Sequence, residues 1–207
     1  MIEFSDFERD ALSEVFNIGV GHAAATLSIM VGEQIQLAVP NVQLVARSEA
    51  FNTLSPSEGG QICSVRQQFR GEMAADALLI FSERNGLELV RAMLRQMGDQ
   101  SFPLDVLGEM AQEAVSEIGN IVLNSVMSTI ADLFGTSFTG SLPVVQIGSC
   151  DDIFNPQPDE AAQYILVLHI SFGIESVEVR GYLAFILDVP AIDNLKKNIT
   201  RVFSGLN

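Results

Sequence analysis

The sequence predicts an α/β fold: a helix-plus-strands unit, duplicated about a pseudo-twofold axis, that forms a mixed, largely antiparallel sheet covered by long helices. The first observation behind this is an internal repeat. Residues 10–45 laid on residues 113–148, an offset of 103, give ten identities in 36 positions without a gap. The second is that runs rich in β-branched and aromatic residues, bounded by turn signals, follow each copy. The third is size: 207 residues, 48% of them hydrophobic, can bury one sizeable core but are short for two independent domains. Residues 1–207 are therefore expected to form a single domain of two repeats, about 8–98 and 104–203.

Each element has its own signal. At about 100° per residue, Asp10, Glu14, Asn17 and Gly21 fall within an arc of about 60° on the first helix. Leu12, Val15, Phe16, Gly19, Ala23 and Met30 lie around the other side. Strands are expected over 62–69 and 73–81, then a helix over 86–97 with an apolar stripe of Leu87, Leu89, Val90, Met93 and Leu94. The turn-rich stretch 98–103 reads as the junction. The second long helix carries Glu113, Glu117, Asn120 and Asn124 on the equivalent arc, opposite Val115, Ile118, Val122, Val126 and Leu133. Strands over 164–172 and 177–187 and a helix over 191–203, entered through Pro190, complete the chain. Each half thus reads as a long helix and about three strands. Arg70-Gly71 and Arg180-Gly181 recur at an offset of 110, which implies about seven extra residues in the second half, placed in a loop over 150–162.

Composition excludes several functions. A net charge of −15, with no Lys/Arg cluster, repels a phosphate backbone, so nucleic acid is not an expected partner and a basic or metal-loaded protein surface is. Mean hydropathy is +0.30, but charged or strongly polar residues interrupt every apolar run before the roughly 18 residues a span needs, so no membrane insertion is expected. The acidic N-terminal residues, with no apolar stretch after them, do not read as a secretory signal, and a cytoplasmic location is expected. Cys63 and Cys150 form no CxxC motif and, with only His22 and His169, cannot build a four-ligand metal site. They are expected to be reduced, partly buried thiols, and both histidines to be structural.

One Glu-x2-Asn pair has almost no specificity and usually marks an ordinary solvated face. Glu-x2-Asn-x22-Pro, however, should occur in only about 2% of chains of this composition, and it occurs twice at equivalent places. Neither side chain is an effective nucleophile here, and no second catalytic carboxylate or histidine accompanies them. A carboxamide can hold and orient a water without carrying charge, and a carboxylate can pair with a lysine. That combination suits a substrate that brings its own reactive bond and metal and lacks only a positioned nucleophile, as in phosphoryl transfer to water.

At these residues the chain resembles the CheC/CheX/FliY family of phosphatases, whose pattern is Asp or Ser, three residues, Glu, two residues, Asn, twenty-two residues, Pro. It reads here as Asp10, Glu14, Asn17 and Pro40, and again as Glu113, Glu117, Asn120 and Pro143. Two copies over nearly the whole chain match the two-site members. The resemblance implies a hydrolase that removes the aspartyl phosphate of a CheY-type response regulator in chemotaxis or related two-component signalling. Asn17 and Asn120 would orient the attacking water, and Glu14 and Glu117 would pair with the partner's lysine. Asp10, Gly21, Pro40, Glu113, Asn124 and Pro143 would shape or dock the sites. The chain would need no cofactor of its own, Mg²⁺ belonging to the partner, and a CheD-like deamidase is a possible second partner. The competing reading is a non-catalytic adaptor for the same partners. Glu113 stands where the family has Asp or Ser, and Val122 and Asn124 replace Gly19 and Gly21, so the two sites are expected to differ in strength.

Overall fold

The fold was analysed in a computed structural model that describes residues 2–49, 54, 60–96, 108–154, 163–174 and 177–204. Helix α1 (Asp6–Val31) leads into strands β1 (Ile35–Ala38) and β2 (Val42–Ala46), a 3-10 turn (Arg47–Glu49), the hairpin β3 (Ile62–Gly71) and β4 (Ala75–Ser82), and helix α2 (Glu83–Gln96). The order then returns as α3 (Glu109–Phe134), β5 (Phe138–Gly140), β6 (Val144–Gly148), a short helix α4 (Cys150–Phe154), β7 (Tyr164–Ile174), β8 (Val177–Leu187) and α5 (Val189–Phe203). Among the described residues each half has four strands, one more than expected, because two short ones follow each long helix. The expected junction at 98–103 lies outside the described residues.

Local chemistry sets the helix ends. The Ser5 hydroxyl accepts from the Glu8 backbone N–H while the Glu8 carboxylate accepts from the Ser5 N–H, a complete capping box. Gly32 and Gly135 end the two long helices in the left-handed conformation, at φ 81° and 65°, which glycine adopts without a Cβ penalty. Asp188 caps α5, and Pro190 occupies its first turn.

The strands form one sheet in the order β1-β7-β8-β4-β3-β5, with β2 also on β7 and β6 also on β3, and all described pairings are antiparallel. The short strands are exchanged. β1 and β2 of the first half flank the second half's hairpin, and β5 and β6 flank the first half's. One row across the sheet runs Val42, Leu168, Leu183, Leu79, Val65, Val145 and reads the same from either end. The pseudo-twofold axis passes between Leu183 and Leu79, the facing residues of β8 and β4.

That row corrects the expected insertion. Val65 faces Val145 and Leu168 faces Val42, so β3 and β7 keep the offset of 103, and Leu79 and Leu183 are equivalent at 104. No seven-residue insertion separates the halves. Arg70 lies at the end of β3, before its hairpin turn, and Arg180 lies in β8, after its turn, so these two dipeptides are not equivalent. The segment proposed as the inserted loop begins instead as helix α4, where Ser149 and Asp152 cap each other, and the hydrogen bonds that the Ser149 hydroxyl and N–H donate to the Asp152 carboxylate hold it below its ordinary range. Residues 155–162 of that segment lie outside the described residues.

The large core lies between one face of the sheet and helices α1, α2, α3 and α5, and a smaller one, with Cys150, Ile153 and Phe154 of α4, covers the other. By length and composition alone α1 could cross a membrane, its polar interruptions notwithstanding. It is a core helix, with Leu12, Val15, Phe16, Val20, Ala23 and Leu27 buried. Met30, expected on the buried side, is exposed in its last turn. Both cysteines are buried and neither is in a disulfide, and burial, reinforced by the nearby Glu83 carboxylate, pushes the Cys63 thiol up to about 12.

Candidate active site

The two long helices lie side by side over the sheet, close enough that a Cβ on Gly19 would come 2.9 Å from the Val126 Cα. The His22 Nδ1 is 3.2 Å from the Thr129 hydroxyl across the same contact. Gly19 therefore serves helix approach, whereas Gly21 faces open space. Because each helix buries its apolar side, its rotation is fixed and its polar arc turns outward. Asp10, Glu14, Asn17, Gly21 and Pro40 are exposed, as are Glu113 and Glu117; Asn120, Asn124 and Pro143 are half-buried. Among the described residues, Asp10, Glu14, Glu113 and Glu117 have no hydrogen-bond or ion-pair partner. This contrasts with Asp76, which holds both Arg66 and Arg70.

The asparagines are held in different ways. Asn17 grips the backbone of Val39: its Oδ1 accepts from the Val39 N–H at 3.0 Å, and its Nδ2 donates to the Val39 carbonyl at 3.2 Å and to the Ser13 carbonyl at 2.8 Å. This gives the x22 spacing a physical meaning. Pro40 biases the residue before it towards extended backbone, so Val39 presents both polar groups to the helix as an edge strand would. Both amide hydrogens of Asn17 are used, and one lone pair of its oxygen remains.

At the second site the polarity is reversed. The Asn120 Oδ1 accepts from Asn124 Nδ2 at 2.8 Å and from Gln67 Nε2 at 3.3 Å, while its own Nδ2 has no acceptor among the described residues. Leu142, the equivalent of Val39, is instead 85% exposed. The connection is fastened to β3 through Ser141, whose N–H donates to the Gln68 carbonyl and whose hydroxyl accepts from the Gln68 N–H. The structure thus brings Asn124 to Asn120 and Pro40 beside the residue Asn17 holds. It also reveals Val39, Ser141 and Gln67, none of them expected from the repeat. Gln67 did carry a signal, as the polar member of the inward series Cys63, Val65, Gln67, Phe69.

No protein-family model matches the chain. A curated relative, the CheY-P phosphatase CheC of Bacillus subtilis (strain 168), is 28% identical over 198 residues, covering 91% of each chain. The chain is thus similar over nearly its whole length to a member of the CheC/CheX/FliY family. Among solved structures, Thermotoga maritima FliY superposes on this chain with a TM-score of 0.78 at 23% identity, over 97% of this chain and 99% of that one. A chain of the CheX–CheY–BeF3–Mg²⁺ complex from Borrelia burgdorferi superposes with a TM-score of 0.53 at 16% identity, over 84% and 97%. At these identities the superpositions establish the shared fold.

Proposed function

We propose that this protein removes the aspartyl phosphate of a CheY-type response regulator by in-line attack of a water held at Asn17 or Asn120. The observation that carries this reading is the pair of outward Glu/Asn faces whose carboxylates, Glu14 and Glu117, have no partner among the described residues. Unpaired carboxylates beside positioned carboxamides are arranged for groups that arrive from outside. Glu14 and Glu117 receive the partner's lysine, and Asp10 and Glu113 extend the same acidic surface one turn earlier. A water that donates a hydrogen to the free lone pair of Asn17 keeps its own lone pair for phosphorus. At Asn120 the water accepts from the outward Nδ2, so the same task is done with opposite hydrogen-bond polarity. Mg²⁺ travels with the partner, where it neutralises the phosphoryl oxygens. Such a reaction belongs in the cytoplasm, with the signalling proteins it serves.

The test is phosphate release from a phosphorylated CheY-type protein by wild type, Asn17→Ala, Asn120→Ala and the double variant. Loss of both carboxamides is expected to lower kcat by about 100-fold or more, the scale of removing one transition-state hydrogen-bonding group. A folded double variant that hydrolyses at the wild-type rate overturns the catalytic reading. If neither wild type nor variant speeds hydrolysis while both bind the regulator or a CheD-like deamidase, the protein is an adaptor.

A further inference from the structure

Gln67 is a buried side chain with a carboxamide in the middle of the main core. It is 3% exposed, on the helix-facing side of β3 between Val65 and Phe69. Burying a primary amide in such a place is costly unless its groups are bonded. They are: Nε2 donates to the Ser141 carbonyl at 2.8 Å and to Asn120 Oδ1 at 3.3 Å, and Oε1 accepts from Asn124 Nδ2 at 3.3 Å. Asn124 Nδ2 also lies 2.7 Å from the Asn120 backbone carbonyl. Every polar group of Gln67 thus serves the second site or the connection beside it. Helix α3 reaches this depth because Gly119, adjacent to Asn120, lies directly on Val65, where an added Cβ would come 2.5 Å from the valine Cβ.

The equivalent positions in the other half show what this arrangement replaces. At the offset of 103, Gln67 corresponds to Ile170, which is buried, and Asn124 to Gly21, which faces open space. There Asn17 is held by the Val39 backbone instead. Gln67 and Asn124 stand together at the site without the backbone clamp, and at the site that has it Ile170 and Gly21 supply no amide side chain in their place.

From this we infer that Gln67 is the positioning residue of the second site, fixing the Asn120 carboxamide with its oxygen turned inward and its NH2 turned to the solvent. The inference rests on the proposed phosphatase reading for its kinetic consequence, but the locking itself is a property of the free protein.

The near-isosteric Gln67→Met removes the amide without emptying the core. In an Asn17→Ala chain, where only the second site acts, it is expected to lower kcat by about 10-fold or more with KM changed by less than about twofold, as for a misplaced but intact catalytic group. Combined with Asn120→Ala it should add nothing further, since its effect passes through that asparagine. In the free protein, the Asn120 side-chain NH2 resonances should shift and their order parameter fall, while the backbone amide spectrum of α1 and β7 stays unchanged. An unaltered Asn120 NH2 signal in folded Gln67→Met overturns the inference whatever the kinetics. A shifted signal with unchanged kcat in the Asn17→Ala chain overturns the catalytic consequence alone. If the folded Asn17→Ala/Asn120→Ala double variant leaves hydrolysis intact, the phosphatase reading falls, and the resonance test still decides the locking.

Discussion

Gly119 shows how a residue with no side chain positions one that has chemistry. Val65 beneath it is fully buried and cannot withdraw, so Gly119→Ala should destabilise the fold by about 1–3 kcal/mol in urea unfolding, and adding Val65→Ala should recover part of the loss. Cys63 offers a second test. With its thiol pushed up to about 12, it should resist alkylation in the native protein at pH 8 and react on unfolding. A raised folded value stabilises the protein below the unfolded value of 9.0, and that contribution is lost as pH rises towards 12, because only the unfolded thiol ionises in this window. Thermal stability should therefore decline above about pH 9, and less so in Cys63→Ala. At this scale the sequence was only half legible. Helical periodicity placed Glu14, Asn17, Glu117 and Asn120 on outward arcs, because that geometry is local. What holds each carboxamide was not legible, because it depends on which strand lies under which helix turn: Gln67 is 53 residues from Asn120.

At the scale of elements, the two long helices are equal in length but unequal at their starts. Ser5 caps α1 with its hydroxyl, whereas Gly108, at φ −66° and ψ 177°, opens α3 with no side-chain cap. Ser5→Ala should cost about 1 kcal/mol. Gly108 has an ordinary extended backbone and open space around it, so Gly108→Ser should raise stability by about 0.5–1 kcal/mol through a new cap and a less flexible unfolded chain. Both are read from thermal melting. The helices and the long hairpins were legible because apolar stripes and β-branched runs are strong signals. The strands β1, β2, β5 and β6 were not counted correctly, being three to five residues each and held by partners in the opposite half. The Arg-Gly recurrence misled for the same reason: a dipeptide has no register until its strand has a neighbour.

For the whole molecule, the decisive fact is that each half lends two strands to the other's hairpin across the antiparallel seam of β4 and β8. A fragment of residues 1–97 should not form a folded monomer, since β1 and β2 would lack β7. Mixed with residues 104–207 it should regain native circular dichroism and a single species in sedimentation, and a folded monomeric half would contradict this. The same exchange constrains ancestry. A one-unit forerunner would have satisfied those strands only in a second copy, so it would have been a strand-trading dimer before its two copies were joined end to end. Once joined, the copies could drift apart in what their helices display, but not in what they lend: Gln67 is inherited with the first copy and spends its hydrogen bonds on the asparagine of the second.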